Sequence, residues 1–242
     1  MTTNVTLFIQ CIVDGVFPKV GQSMVRVLDR LGVSMGYPED QTCCGQPAFN
    51  SGYRSEARVA AKRFIDIFED SETIVCPSGS CVSMVRNHYT DLFADDIGWL
   101  ERARNVAKKT FEFSEFLVDV LKVEDVGASF AKRVTYHDSC HLMRGIGVSR
   151  QPRALLAKVK GIDFVEMHDA DRCCGFGGAF SFKYPVISTA MLEDKVRNIE
   201  ASGAGAVIGC DMGCLMNIQG MLNRKNINIK TMHIAELLDQ VE

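Results

Sequence analysis

Cys11, Cys43, Cys44, Cys76 and Cys81 are followed, 129 to 134 residues later, by Cys140, Cys173, Cys174, Cys210 and Cys214, so ten cysteines make two sets of five with none left over. Each set holds a Cys-Cys-Gly triplet, Cys43-Cys44-Gly45 and Cys173-Cys174-Gly175. Chance would place two such triplets in a chain of this composition about once in two thousand chains. The likeness continues in Ala48-Phe49-Asn50 against Ala179-Phe180-Ser181, which predicts a duplicated structural unit with pseudo-twofold halves. Thiolates are soft metal ligands and the reactive form in thiol redox chemistry. Met1 to Gln10 lack the basic start and long apolar stretch of a secretory signal, so a reducing cytoplasmic setting is expected. Structural disulfides are rare there, and metal binding or redox chemistry is the leading use for so many cysteines.

Four or five thiolates from one unit, on loops about 32 residues apart, suit an iron-sulfur cluster, which is larger than a single ion and is held by cysteine sulfur. All ten cysteines are therefore candidate cluster-binding residues, one set to each of two clusters. Structural zinc sites favour close C-x2-C knuckles. This chain instead has adjacent cysteines and the looser pairs Cys76-Pro-Ser-Gly-Ser-Cys81 and Cys210-Asp-Met-Gly-Cys214, and a thioredoxin-like C-x-x-C is absent. Two alternatives to electron transfer stay open: a zinc-stabilised scaffold without redox function, and a cluster that cleaves a disulfide directly, motivated by Cys76 and Cys210.

Other side chains near the cysteines are secondary candidates, and no catalytic residue is assigned. His137 and His141 flank Cys140, within reach of a sulfur or a proton path, against the plainer expectation of a strand-end histidine bonded to backbone. His168 is placed at a strand end, and His88 and His233 in helical contexts, all as structural residues. Asp138 and Asp211 stand beside cysteines, with helix capping as their expected role. Arg144, Arg150 and Lys183 are candidates to hold a substrate carboxylate. The run from Glu101 to Lys109 reads as a solvated helix face.

The elements that must position these residues alternate. Strand-like runs at Val5 to Gln10, Val33 to Tyr37 and Thr73 to Val75 are separated by helical spacing at Lys19 to Leu31 and Arg54 to Glu69. The second half repeats this with runs at Val134 to His137, Phe164 to Met167 and Ala206 to Ile208, and helical stretches around Ala154 to Lys158 and Pro185 to Ala201. The expected fold is α/β, in two pseudo-symmetric halves, residues 1–122 and 123–242, each a small parallel sheet with flanking helices. Ligands of such sheets collect at the carboxyl ends of the strands, which is where the cysteines fall. Gly45, Gly175, Gly177 and Gly178 suit loops with unusual backbone angles or a close approach to a bulky group.

A formal net charge of -3 gives no footprint for nucleic acid or an anionic membrane, and no run approaches the roughly 18 apolar residues of a membrane span. With 47% hydrophobic and 24% charged residues, the composition is that of a soluble globular protein with a full core.

The pattern Cys-x31-Cys-Cys-Gly followed by a closing cysteine pair, given twice over nearly the whole chain, resembles the CCG cysteine-rich domain family. That family includes the B subunit of heterodisulfide reductase and iron-sulfur subunits of glycolate, glycerol-3-phosphate and lactate oxidising systems. The stretch from Cys43 to Tyr53, the runs Pro77-Ser-Gly-Ser-Cys81, Cys173-Cys-Gly-Phe-Gly-Gly178 and Cys214-Leu-Met-Asn217, and the ending Met232-His-Ile-Ala-Glu236 are most similar to its lactate-utilisation branch. The resemblance implies an oxidoreductase subunit, not active alone, that carries electrons in a cytoplasmic complex oxidising L-lactate to pyruvate. It implies other iron-sulfur subunits as partners and a small 2-hydroxy acid as substrate of the complex. It also implies Cys11, Cys43, Cys44 and Cys81, then Cys140, Cys173, Cys174 and Cys214, as metal ligands, with Cys76 and Cys210 as fifth ligands or bystanders. Five thiolates per site would favour a non-cubane cluster and four an ordinary 4Fe-4S cube.

Overall fold

The structure, a computed structural model, describes residues 4–241; Met1–Thr3, the start of the segment read above for an export signal, and Glu242 lie outside the described residues. Two four-stranded sheets form, and every strand pair in them is parallel. The first has the order β2-β1-β3-β4, from β1 (Asn4–Leu7), β2 (Ser34–Gly36), β3 (Ile74–Cys76) and β4 (Thr110–Glu112). The second repeats it as β6-β5-β7-β8, from β5 (Arg133–His137), β6 (Asp163–Phe164), β7 (Ala206–Gly209) and β8 (Lys230–His233).

Helices cover the sheets because their apolar residues fall on one stripe. In the helix Pro18–Arg30 the buried Val20, Met24, Val27 and Leu28 recur at helical spacing, and in Arg54–Phe68 so do Ala57, Ala61, Phe64, Ile65 and Phe68. Each large side chain buried this way contributes about 1.5–3 kcal/mol. The central strands β3 and β7 are buried along their whole length, as parallel strands covered on both faces must be. The helix Pro185–Ala201 forms as the periodicity predicts. The expected run Ala154 to Lys158 is the end of a helix at Arg150–Leu156, and Glu101 to Lys109 belongs to Ile97–Lys108, which buries only Ala103 and Val106.

Two strands escape the sequence reading. β4, Thr-Phe-Glu, and β8, Lys-Thr-Met-His, are short edge strands with no apolar alternation to mark them. His233 accordingly ends a strand and caps the helix Ile234–Leu238, where a helical context is expected from sequence. His168 lies in a turn well past the two-residue β6, not at a strand end.

Strand register fixes how the halves correspond. Thr6 pairs with Ile74 and Leu7 with Val75, while Thr135 pairs with Val207 and Tyr136 with Ile208. Phe8 thus corresponds to His137, and Cys76 to Gly209. Two residues further on, Ser78 and Asp211 are the N-caps of helices that carry Cys81 and Cys214 at the third position. Cys210 therefore matches Pro77 and not Cys76, which corrects the alignment of Cys76 with Cys210 by one residue. In extended chain that single step turns a side chain to the opposite face.

The halves share a tight seam. A Cβ added to Gly79 would lie 2.6 Å from Leu142 Cβ, so only glycine lets the helix Gly79–Ser83 approach the π-helical turn His141–Gly145. The helix Ile234–Leu238 packs on Pro18–Arg30, where Asp239 accepts from Arg26 and from Ser23 Oγ at 3.0 Å and Arg30 Nη2 donates to Leu238 O at 2.7 Å. Among the described residues no helix is long and apolar enough to cross a membrane.

Candidate metal centre

The sulfur groups converge because each set hangs on three loops at the carboxyl edge of its sheet. Cys11 opens the helix Cys11–Val16 beyond β1, with Gln10 Oε1 capping the amides of Ile12 at 2.8 Å and Val13 at 3.2 Å. Cys43 and Cys44 precede Gly45, whose φ of +86° is open to glycine and strained for other residues. Cys81 sits in the first turn after β3. The second half places Cys140 after β5, Cys173 and Cys174 before Gly175 at φ +80°, and Cys214 in the turn after β7. Gly177 and Gly178 also take positive φ, as expected of the loop.

All ten cysteines are free thiols. In the first half they form a hydrogen-bonded series running from Cys11 to Cys43, Cys44, Cys81 and Cys76, with Cys44 and Cys81 sulfurs 3.4 Å apart. Thiol donation from Cys11 and Cys44 and the Gly45 amide, 3.4 Å from the sulfur, push the Cys43 pKa down to about 3. Donation from Cys44 and Cys76 lowers Cys81 to about 5, whereas hydrogen bonding to Cys43 and burial push Cys44 up. The second half repeats the pattern. Cys140, Cys174 and the Gly175 amide hold Cys173 at about 2, and Cys174 bonds onward to Cys214. Such thiolates are the ligand form of cysteine.

The fifth cysteines differ between halves. Cys76, wholly buried on β3, stands directly behind Cys81. Cys210 points away from its set, 3.3 Å from Tyr136 Oη and 4.0 Å from Ser114 Oγ, in the core that joins the halves. The remaining eight cysteines, Cys11, Cys43, Cys44, Cys81, Cys140, Cys173, Cys174 and Cys214, line one cavity of about 860 Å³ including its open mouth. Ser78, Ser80, Ser139 and Asp211 lie between the two sets. Two soft four-sulfur donor sets, uncrosslinked and gathered in one partly enclosed space, fit iron-sulfur clusters.

The polar surroundings are less symmetric. His137 is 1% exposed and, together with Cys174 and Cys214, offers ligand atoms all within 4.8 Å of one another. His137 ends β5, as expected of a strand-end histidine, and the Ala170 backbone carbonyl is its neighbouring acceptor, although neither ring nitrogen makes a hydrogen bond of good geometry. Burial, with the Lys195 charge, pushes His137 down to about 3, and the imidazole is neutral. His141 Nδ1 lies 3.7 Å from Cys140 Sγ. His88 lies against Phe49, while His168 is exposed beside Asp169.

Asp138 does not cap a helix. It is buried and paired with Arg153 through both oxygens, at 2.9 and 2.7 Å. Asp211 does cap, as expected, accepting from Gly213 N at 3.1 Å. The cation clamp expected from Arg144, Arg150 and Lys183 is not assembled. Arg150 pairs with Asp119 and Glu124, Lys183 ends the helix Ala179–Lys183, and Arg144 alone lies near a site cysteine, Cys140.

Lys195 escapes the sequence reading. It is fully buried, donates to the carbonyls of Asp169 at 2.6 Å and Ala170 at 3.0 Å, and burial lowers it to about 8. The signal was present, for Lys195 falls on the stripe of Ser188, Leu192, Val196 and Ile199 that its helix buries. Tyr89 Oη and Asn217 Nδ2, which donate to the carbonyls of Cys44 at 2.9 Å and Cys174 at 3.0 Å, left no such trace.

Comparison with known proteins gives a consistent picture. The family model described as "CCG: Cysteine-rich domain" matches residues 5–86 and again 134–219. A lactate utilization protein A from Bacillus subtilis is 50% identical over 236 residues, 98% of this chain and 99% of that one. A lactate utilization protein A 2 from Bacillus cereus is 48% identical over 235 residues, 97% of each chain. Among solved structures, a putative Asp/Glu racemase from Yersinia pestis aligns over 98% of this chain and 96% of that one, with a TM-score of 0.40 and 13% identity.

Proposed function

Because this chain belongs to the lactate utilization protein A family of cysteine-rich CCG proteins, we propose that it is a cytoplasmic iron-sulfur subunit that carries electrons in a complex oxidising L-lactate to pyruvate. Cys11, Cys43, Cys44 and Cys81 would hold one cluster and Cys140, Cys173, Cys174 and Cys214 the other. When bound, such clusters supply one-electron transfer at potentials set by charge and hydrogen bonding around sulfur. The single observation that carries this reading is the opening of both sets into one cavity.

The residues themselves divide the work. Gly45 and Gly175 turn the backbone so that their amides face Cys43 and Cys173 sulfur at 3.4 Å. Tyr89 and Asn217 hold the carbonyls of the second triplet cysteines, fixing those loops. The half-open cavity gives partner subunits, proposed to carry further iron-sulfur sites, a way to approach both sets, and no residue here is assigned to bind the 2-hydroxy acid. Residues 1–122 and 123–242 are taken as the two duplicated units.

The test is anaerobic purification with iron and sulfide analysis and pull-down of partners. About eight irons per chain, broad visible absorbance and co-purifying subunits are expected. A colourless, iron-free chain after anaerobic reconstitution, or one loaded with zinc alone, overturns the reading. One observation favours a second reading, cluster-based thiol-disulfide reduction: Cys76 adds a fifth thiol behind Cys81. Under that reading Cys76→Ser abolishes the first site's spectrum and disulfide turnover; unchanged spectra favour the first.

A further inference from the structure

The two sites differ in the side chains behind them. In the first half Phe8 packs edge-on against Phe64, ring centroids 4.9 Å apart at 81°. Register equates Phe8 with His137. The helices equate Phe64 with Lys195, since each lies two turns beyond the residue, Ala57 or Ser188, that abuts the triplet glycine. An aromatic pair in one half is thus an imidazole and an ammonium group in the other.

Both replacements are buried, where a polar group costs folding stability unless a partner compensates it. The Ala170 carbonyl beside them already accepts from Lys195 Nζ at 3.0 Å and Asp138 N at 3.1 Å. Both its lone pairs are engaged, which leaves the His137 N–H free to face the sulfurs of Cys174 and Cys214. Asp138, the buried carboxylate next to His137 in sequence, is paired with Arg153, which also holds Glu166. The first site has only the rings of Phe8 and Phe64 at these two places, and Asp211, which accepts from Ser80 in one half and Gly213 in the other, is common to both sites.

Resting on the reading that each cysteine set holds a cluster, we propose that His137 and Lys195 make the second site the easier of the two to reduce, so that an electron entering this chain settles beside Cys174 and Cys214. An added electron makes a thiolate-bound group more negative. A buried cation and an N–H dipole beside it stabilise that charge strongly in a low-dielectric setting, which the apolar rings of Phe8 and Phe64 at the other site do not do.

The test is a mediated redox titration of the anaerobically loaded full chain, followed by electron paramagnetic resonance, in wild type, Lys195→Met, His137→Phe and His137→Gln. One electron passes from dithionite, which is oxidised, to the site, and no bond is made or broken. Two resolved midpoints are expected in wild type. Lys195→Met and His137→Phe should each lower the higher midpoint, cutting its reduced-to-oxidised ratio at fixed potential about tenfold, or about 59 mV for one electron. His137→Gln keeps an N–H donor and should shift less, a rescue that a purely structural role would not produce. The lower midpoint, unmoved, verifies folding in the same molecule. Where one variant loses the second site's iron, the midpoints of the other two decide. Coincident wild-type midpoints, movement of the lower midpoint, or no movement with iron retained overturns the inference alone. A wild-type chain that takes up no iron overturns it together with the function proposed above.

Discussion

Asp211 accepts the Ser80 amide at 2.9 Å across the seam between the halves, while its other oxygen accepts from Gly213 in its own helix at 3.1 Å. One carboxylate therefore caps two helices, each carrying a cavity cysteine at its third position. Asp211→Ala should cost about 2 kcal/mol, the loss of a cap and of a buried acceptor. Asp211→Asn, which keeps one acceptor oxygen, should cost less. Urea midpoints of the reduced, metal-free chain measure both.

The one-residue offset between Cys76 and Cys210 separates their roles. Cys210→Ala should leave iron and sulfide per chain unchanged, because its thiol faces Tyr136 and Ser114. Cys214→Ala should remove about half of the iron, and Cys76→Ser should leave both sites' spectra unchanged, as the electron-carrier reading requires. A Cys210→Ala protein that keeps its fold and loses iron contradicts this assignment.

His233 gives stability an acid-side slope. Burial lowers its pKa from about 6.5 to about 4, and Nδ1 accepts the Ala235 amide at 3.1 Å. Between those values the unfolded chain binds the proton and the folded chain does not. Stability is complete above the unfolded value and falls toward pH 4, by about 3 kcal/mol. His233→Asn preserves the cap and should flatten this fall in urea unfolding of the metal-free chain at pH 7.5 and 4.5.

Glu112 acts with the opposite sign. Burial raises it from about 4.5 to about 7, although the Ser114 and Glu115 amides both donate to Oε2. Here the folded chain binds the proton more tightly. Stability is complete below the unfolded value and declines as pH rises toward 7, by about 3 kcal/mol. Glu112→Gln should remove that decline and raise the urea midpoint at pH 8 above that of the unaltered protein.

The duplicated parallel sheets and the eight gathered cysteines were legible because they are written in local signals: apolar runs of the right length, helical stripes and the repeated Cys-Cys-Gly triplets. β4 and β8 were not legible, since an edge strand of three or four mixed residues is defined by its neighbour and carries little pattern of its own. The alignment of Cys76 with Cys210 went astray because spacing counts residues while side-chain direction follows strand register. Lys195 was hidden by its type, its place on an apolar stripe outweighing the habit of lysine to face water.

The helix Ile234–Leu238 covers a face of Pro18–Arg30, with Asp239 and the Leu238 carbonyl tied to Arg26 and Arg30. On the ribosome, the face of Pro18–Arg30 that carries Ser23, Arg26 and Arg30 must wait for its cover until nearly all of the described chain has been made. A premature stop codon shortly before that helix would leave the nascent protein open to aggregation or proteolysis, even with every cysteine already translated.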